Sequence, residues 1–334
     1  MKKTTQRILL AAAMTAMGGG LMAGHYQVFK TQIRPLNASF DESGKASGGY
    51  AVVALDLREV EDDFQSGVAT IDVMVHVEGL EDLTSISGAA HVAHVHGRSV
   101  AGMDPTTGEG AIARSSVIPD VFSDDADGDG FLNLLEGLPD YGPVLLNLSL
   151  AQVPHAEEGV SPLMAGLNFL GENDLTPADA FPTGETFHVE MTYSFDVSDP
   201  DARRQLKNLL PLTSREIVVH GLTVPTSISN SVDTQMMEAG LPEALYGVEV
   251  NDTESFRITA PVAAGSLEPA VNLGPNGRKG WRSAGSYGWI NASLFPWVYH
   301  PDFGLQYVQD YGENGLWIYD RQLGWLYTPE SIGD

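Results

Sequence analysis

The chain has no cysteine. That absence excludes disulfides, thiolate metal sites, iron–sulfur clusters and cysteine nucleophiles, so any metal must sit on histidine, carboxylate or backbone oxygen. Basic residues are scarce: 18 Lys and Arg stand against 44 Asp and Glu, a formal charge of −26. Such a chain lacks the basic face that nucleic acid or an anionic membrane requires, and neither is expected as a partner. Beyond the first 23 residues no run of about 18 apolar residues occurs, so no later segment reads as a membrane-spanning helix. HExxH, GxSxG and phosphate-cradling glycine loops are missing as well. Long helical patterns are absent; Asp201–Leu210 and Thr234–Leu245 read as short helices. What is present is 43% hydrophobic residues, enough for a sizeable core, with 36 Gly and 19 Pro to make many turns.

Lys2, Lys3 and Arg7 precede an uncharged stretch, Ile8 to Ala23, rich in Ala, Leu and Met. This is the pattern of a secretory signal peptide over residues 1–23, and a secreted, periplasmic or cell-surface location is expected. Its removal takes three positive charges with it, from −26 to −29, and leaves 311 residues. From Tyr26 to about residue 260 the signal is strand-like alternation. Strands are expected at Gly49–Arg58, Val68–Gly79, Val144–Leu150, Thr186–Val197, Glu216–Val224 and Ser255–Thr259. In Phe187–Phe195 every second residue is apolar, so one face is core and the other wet. Many short strands with few helices indicate an all-β Greek-key sandwich or barrel over 24–260.

Residues 261–280 read as a linker, with three Pro and four Gly. All five Trp and six of the eleven Tyr fall after it, in 281–334. This segment reads as a small β module in which rings replace a deep core. FGLQYV at 303–308 and LGWLYT at 323–328 share a Gly–x–x–Tyr pattern, a weak internal repeat, and a surface polymer or protein is the partner expected for it.

Asp125–Glu136, DADGDGFLNLLE, fits the EF-hand calcium loop at each diagnostic place. Asp125, Asp127 and Asp129 occupy positions 1, 3 and 5, Gly130 position 6 and Glu136 position 12. Three carboxylates, the Phe131 carbonyl and a bidentate Glu136 surround a hard cation with oxygen, and Asn133 at position 9 contributes through water. Gly137–Leu138–Pro139 follows, so the exit helix is expected to last one turn. With no second loop to pair with, Ca²⁺ here is a structural clip on an insertion at 120–142, not a sensor.

His94 and His96 are two apart, so on a strand both imidazoles leave one face, within reach of one metal; His91 has the opposite parity. His220 ends another strand-like run, REIVVHG. Asn37, Asn147, Asn251 and Asn291 head Asn–x–Ser/Thr sequons and read as surface residues.

The order PLNAS, SGKASGGYAVVALDL, GVATIDVMVHVEGL and AAHVAHVHG resembles a chordin-type (CHRD) domain, whose mark is a Gly–Leu turn followed by an Ala–His–x–His–Gly strand. Such domains are similar in turn to copper–zinc superoxide dismutases, and SREIVVHG resembles the dismutase strand that carries a later copper histidine. The resemblance covers roughly 26–260. It implies copper on His94, His96 and His220, with His155 at the place of the metal-bridging histidine. The departures are specific: between Gly97 and Arg215 only His155 and His188 occur, so zinc is a weaker expectation than copper. The family's cysteines are missing, and only Arg98, Arg215 and Arg257 offer charge to guide an anion. Three readings remain open: a calcium-clipped metal-binding sandwich, a copper-dependent superoxide dismutase, and a calcium-stabilised adhesion or matrix module.

Overall fold

The computed structural model describes residues 26–40, 47–61, 64–99, 113–150 and 176–269, and in the C-terminal part 281–283, 289–294, 297–300, 304–310, 316–320 and 324–328. The chain divides into two compact units. Phe29–Val53 and Glu59–Glu268 make the larger one, and the C-terminal strands belong to the other.

The main sheet is antiparallel and curled into a half-barrel. Its strands are β1 (Tyr26–Pro35), β2 (Gly48–Asp56), β3 (Val68–Glu78), β4 (Ala93–Ser99), β5 (Ala113–Arg114), β6 (Val144–Asn147), β7 (Thr186–Asp196), β8 (Arg215–Pro225), β9 (Val248–Asn251), β10 (Glu254–Ser266) and β11 (Glu268–Pro269). The order is β5-β4-β8-β10-β1-β2-β3-β7, with β6 also on β4, β9 on β10 and β11 on β1. The passages from β3 to β4 and from β7 to β8 jump most of the sheet, which is the Greek-key character expected from the alternating pattern.

Alternation explains the outer strands. On β7, Phe187, Val189, Tyr193 and Phe195 are buried while His188 and Ser194 are exposed. β8 behaves differently, because Arg215 to Leu222 are all buried. It runs between β4 and β10 and packs against the helix Thr226–Glu238, so even the polar Arg215, Glu216 and His220 are enclosed together with the apolar run Ile217–Val219. β10 continues through Pro261 to Ser266, so the first six residues of the segment read as a linker are strand. The register shifts on both sides of Pro261, and a proline without an N–H is tolerated at such a bulge.

Among the described residues of the larger unit there are five short α-helices: α1 (Val121–Asp124), α2 (Leu134–Tyr141), α3 (Pro177–Ala180), α4 (Pro200–Leu209) and α5 (Thr226–Glu238). Two depart from expectation. α5 starts eight residues before the helix read at Thr234, because Ser229, Val232 and Met236 bury one face despite the Ser- and Asn-rich sequence. α2 runs eight residues, straight through Gly137 and Pro139, where one turn was expected. Tyr141 is fully buried, and a Cβ on Gly137 would lie 2.4 Å from its ring. Gly137 is therefore a seat for the Tyr141 ring and not a helix stop.

The C-terminal sheet is a six-stranded antiparallel meander, taken in chain order: β12 (Trp281–Ser283), β13 (Trp289–Leu294), β14 (Trp297–His300), β15 (Gly304–Asp310), β16 (Leu316–Asp320) and β17 (Gly324–Thr328). The Gly–x–x–Tyr repeat opens β15 and β17, the two strands flanking β16. Among the side chains described there, Val298, Gln306, Val308 and Ile318 are buried, whereas Trp317, Tyr319, Trp325 and Tyr327 are exposed and lie in ring contact with one another.

Candidate metal centres

β4 carries His94 and His96 with like parity, and β8 lies beside it with His94 opposite Val218 and His96 opposite Glu216. Two residues further on, His220 projects from the same face of β8, its N–H bonded to the Val92 carbonyl at 2.7 Å. All three rings are buried, at 5%, 2% and 2% exposure. Their centroids stand 5.4–5.5 Å apart, and their ligand nitrogens all lie within 4.8 Å of one another. His91 leaves the group: its Nε2 donates to the Glu81 carbonyl at 2.8 Å, and Glu81 in turn accepts the Thr223 N–H. His188 sits on the outer face of β7, and His155 lies outside the described residues.

The hydrogen bonds fix the tautomers. His96 Nδ1 faces the Gly142 carbonyl at 2.8 Å and His220 Nδ1 faces the Thr259 carbonyl at 3.1 Å. A carbonyl only accepts, so both Nδ1 atoms carry the proton and both Nε2 atoms present a lone pair. Those two Nε2 atoms face each other at 3.4 Å. Protonating either would resolve the clash of lone pairs, but burial opposes it. Burial, followed by the neighbouring His220, pushes His96 down to about 3. Burial pushes His220 down to about 4, against the pull of the Thr259 carbonyl.

The walls come from residues not singled out in the sequence. The Tyr141 ring stands edge-on to His96 at 4.7 Å and to His220 at 6.2 Å, and Phe181 stands 6.4 Å from His94. Leu134, Leu138, Val144, Leu245 and Ile258 close a cavity of about 30 Å³ against the three histidines. Leu134, Leu138 and Tyr141 are spaced i, i+4, i+7 on α2, a helical stripe that Gly137 and Pro139 hide in the sequence. Gly142 must be glycine, since its φ is +77° and a Cβ would meet the Gly97 carbonyl at 2.4 Å.

Neither expected guide for an anion is available among the buried arginines. Arg215 is 3% exposed and donates to the carbonyls of Asn208, Leu209 and Ser214. Arg257 is 1% exposed and bonded to Asp233 at 2.7 Å and to Ser229. Arg98 spends its field on Asp140 and Glu216. Glu216, buried directly opposite His96 in the β4–β8 pair, accepts from Ser266 at 2.9 Å, and burial raises its carboxyl to about 7.

The acidic loop lies between α1 and α2. Asp125 accepts the N–H groups of Gly128 and Gly130, both at 2.8 Å; Asp127 accepts that of Asp129, and Asp129 that of Phe131. Glu136 accepts from Ala126 at 2.8 Å and from Asn133 at 3.0 Å, tying the two ends together. Oxygens of Asp125, Asp127 and Glu136 gather within 4.8 Å. Burial and the neighbouring carboxylates raise the Asp129 carboxyl, and burial with Asp127 raises Glu136. Asn133 caps α2, accepting from Leu135 and Glu136, and donates to Gln235, which also grips Asp127 at 2.7 Å. Phe131 is fully buried against Phe40, with 5.4 Å between ring centroids.

Two sequon asparagines are not surface residues. Asn37 is 2% exposed and clamps Leu132 through both N–H and carbonyl, at 2.7 and 2.8 Å, and Asn147 is also buried. A search of protein-family models, of curated proteins and of solved structures finds no match to this chain.

Proposed function

We propose that this chain is an exported metal-binding β-sandwich protein that holds copper on His94, His96 and His220 and calcium on the loop Asp125–Glu136. One observation carries the reading. Two Nε2 lone pairs, each fixed by a carbonyl behind it, face one another at 3.4 Å in a buried pocket. Two donors each about 2.05 Å from one ion and related by a tetrahedral angle would stand about 3.35 Å apart. A cation between them turns a repulsion into two bonds, and the carbonyls behind are the outer partners that ligating histidines ordinarily have. Three neutral imidazoles suit copper or zinc, and copper(II) binds such donors more tightly.

Calcium at the loop accounts for the crowding of carboxylates whose ionised forms repel one another. The role is that of a clip, because Phe131, Leu132 and Asn133 tie the loop to the sheet and to α5. A binding function is the stronger reading than catalysis. A fast dismutase steers its anion with local positive charge, and Arg215 and Arg257 are spent on internal partners. Superoxide turnover is expected far below the ceiling of about 10⁹ M⁻¹s⁻¹.

Elemental analysis of the purified full chain, before and after chelation, tests the reading. One transition-metal equivalent that His96→Ala loses, and one calcium that it keeps, are expected. A protein that takes up no copper or zinc on titration overturns the histidine site. For the C-terminal sheet, the exposed Trp317 and Trp325 favour a surface polymer as partner. Co-sedimentation with insoluble polysaccharide, unchanged in a Trp317→Ala/Trp325→Ala variant, would count against that.

A further inference from the structure

We infer a second transition-metal site on the outer face of the main sheet, formed by His76 and His188 with the Glu78 carboxylate, for a borderline divalent cation such as Ni²⁺, Zn²⁺ or Cu²⁺. It is separate from the buried histidines and does not depend on them. β3 and β7 pair antiparallel with His76 directly opposite His188. Directly opposed residues on one face of such a pair have Cβ atoms about 4.5–5.5 Å apart, which lets two imidazoles reach one ion. The rings are already close, with centroids 5.5 Å apart and planes at 71°, an edge-on arrangement.

Glu78 offers a third donor beside His76, and a turn of the His188 side chain is needed to complete the set, since the three ligand atoms do not yet gather within 4.8 Å as those of the buried histidines do. His76 Nε2 and Glu78 Oε1 lie 3.1 Å apart. Two donors about 2.1 Å from one ion at an angle near 95° would be separated by that distance. Without a metal the same contact orients the His76 ring, so its rotamer is set before any ion arrives. The Tyr50 ring, 5.6 Å from His76, walls the other side. Glu190 lies two residues from His188 on the same face and adds negative charge there.

Accessibility separates this group from the buried one. His188 and Glu78 are exposed and the His76 side chain keeps 27% of its surface, so an ion reaches them with no movement of the backbone. β7 is the last strand of the sheet order, so its far edge pairs with no described strand. Two imidazoles and one carboxylate make a donor set for first-row divalent ions and a poor one for Ca²⁺, which takes six to eight oxygens.

The test is isothermal titration of the full, calcium-saturated chain with Ni²⁺, compared with His188→Asn, His76→Asn and Glu78→Gln. All three changes lie on the sheet's wet face, and circular dichroism checks that the fold is kept. The expected result is that each histidine variant loses one equivalent of Ni²⁺, while Glu78→Gln keeps the stoichiometry and weakens that equivalent several-fold. In the same variants the binding at His94, His96 and His220 should remain, which keeps the two sites distinguishable. Unchanged stoichiometry in both histidine variants, or a wild-type chain that binds no Ni²⁺ outside the buried histidines, overturns the inference.

Discussion

Metal binding at the buried histidines should release almost no protons from His96 and His220. Ordinary imidazoles, with a pKa near 6.5, are about three-quarters protonated at pH 6, so two of them would give up roughly 1.5 protons to an incoming ion. Here burial holds His96 down to about 3 and His220 to about 4, and at pH 6 each is protonated in about 1% of molecules or fewer. Whatever His94 adds, the total should stay below about one. The assay is calorimetric titration of the calcium-saturated His76→Asn/His188→Asn variant, which keeps the buried histidine site and lacks the outer one, with Zn²⁺ at pH 6 in buffers of different ionisation enthalpy; the slope of observed heat against that enthalpy counts protons. A count of about 1.5 or more would refute the tautomer argument and the burial behind it. The same groups set the acid stability of the metal-free protein. A histidine whose folded pKa is depressed binds its proton only on unfolding, so stability is complete above about pH 6.5 and falls as pH drops toward 4. Near pH 5 the two together should give a slope of roughly 2.5 kcal/mol per pH unit.

Glu136→Gln should abolish most of the rise in melting temperature that millimolar Ca²⁺ brings to the wild type, which amounts to about 2.7 kcal/mol at a hundredfold excess over Kd; an equal shift in both proteins, by scanning calorimetry, would count against the loop. Gly137→Ala should destabilise by about 1–3 kcal/mol in urea unfolding, because the new Cβ displaces Tyr141 even though alanine is the better helix former; a gain in stability would refute the packing argument. Glu216→Gln should gain on the wild type as pH rises from about 4.5 to about 7, since a raised carboxyl loses stability as it ionises. The gain should reach up to roughly 3 kcal/mol, and a difference that does not vary with pH would refute the burial of that charge.

The strands were legible because period-two alternation is a direct print of a half-buried sheet, and Phe187–Phe195 shows it. Convergence of the histidines was half legible. Parity put His94 and His96 together and His91 apart, but only the β4–β8 pairing joins His220 to them. The parts that stayed hidden are those where packing overrides local preference. Gly137 and Pro139 look like a helix stop until Tyr141 is seen lying on Gly137. Pro261 looks like a linker until the bulge that accommodates it is known. Asn37 looks like a surface sequon because nothing local says that Leu132, ninety-five residues away, will bond to it. The exposure of Trp317, Tyr319, Trp325 and Tyr327 was not legible either, since aromatic richness alone does not say which rings face outward.

The distribution of rings also makes the protein its own pair of optical probes. Every tryptophan, from Trp281 to Trp325, lies in the C-terminal strands or next to them, and the larger unit of Phe29–Val53 and Glu59–Glu268 has none. Indole emission therefore follows the melting of the small sheet alone, with no labelling and no mutation. Tyr141, packed edge-on to His96, sits in the unit free of indole, and the near-ultraviolet difference between the wild type and Tyr141→Phe isolates its signal from the other rings and follows the histidine pocket. If the two signals change at different temperatures or denaturant concentrations, the units unfold as separate cooperative bodies, and a single melting temperature for the chain has no meaning.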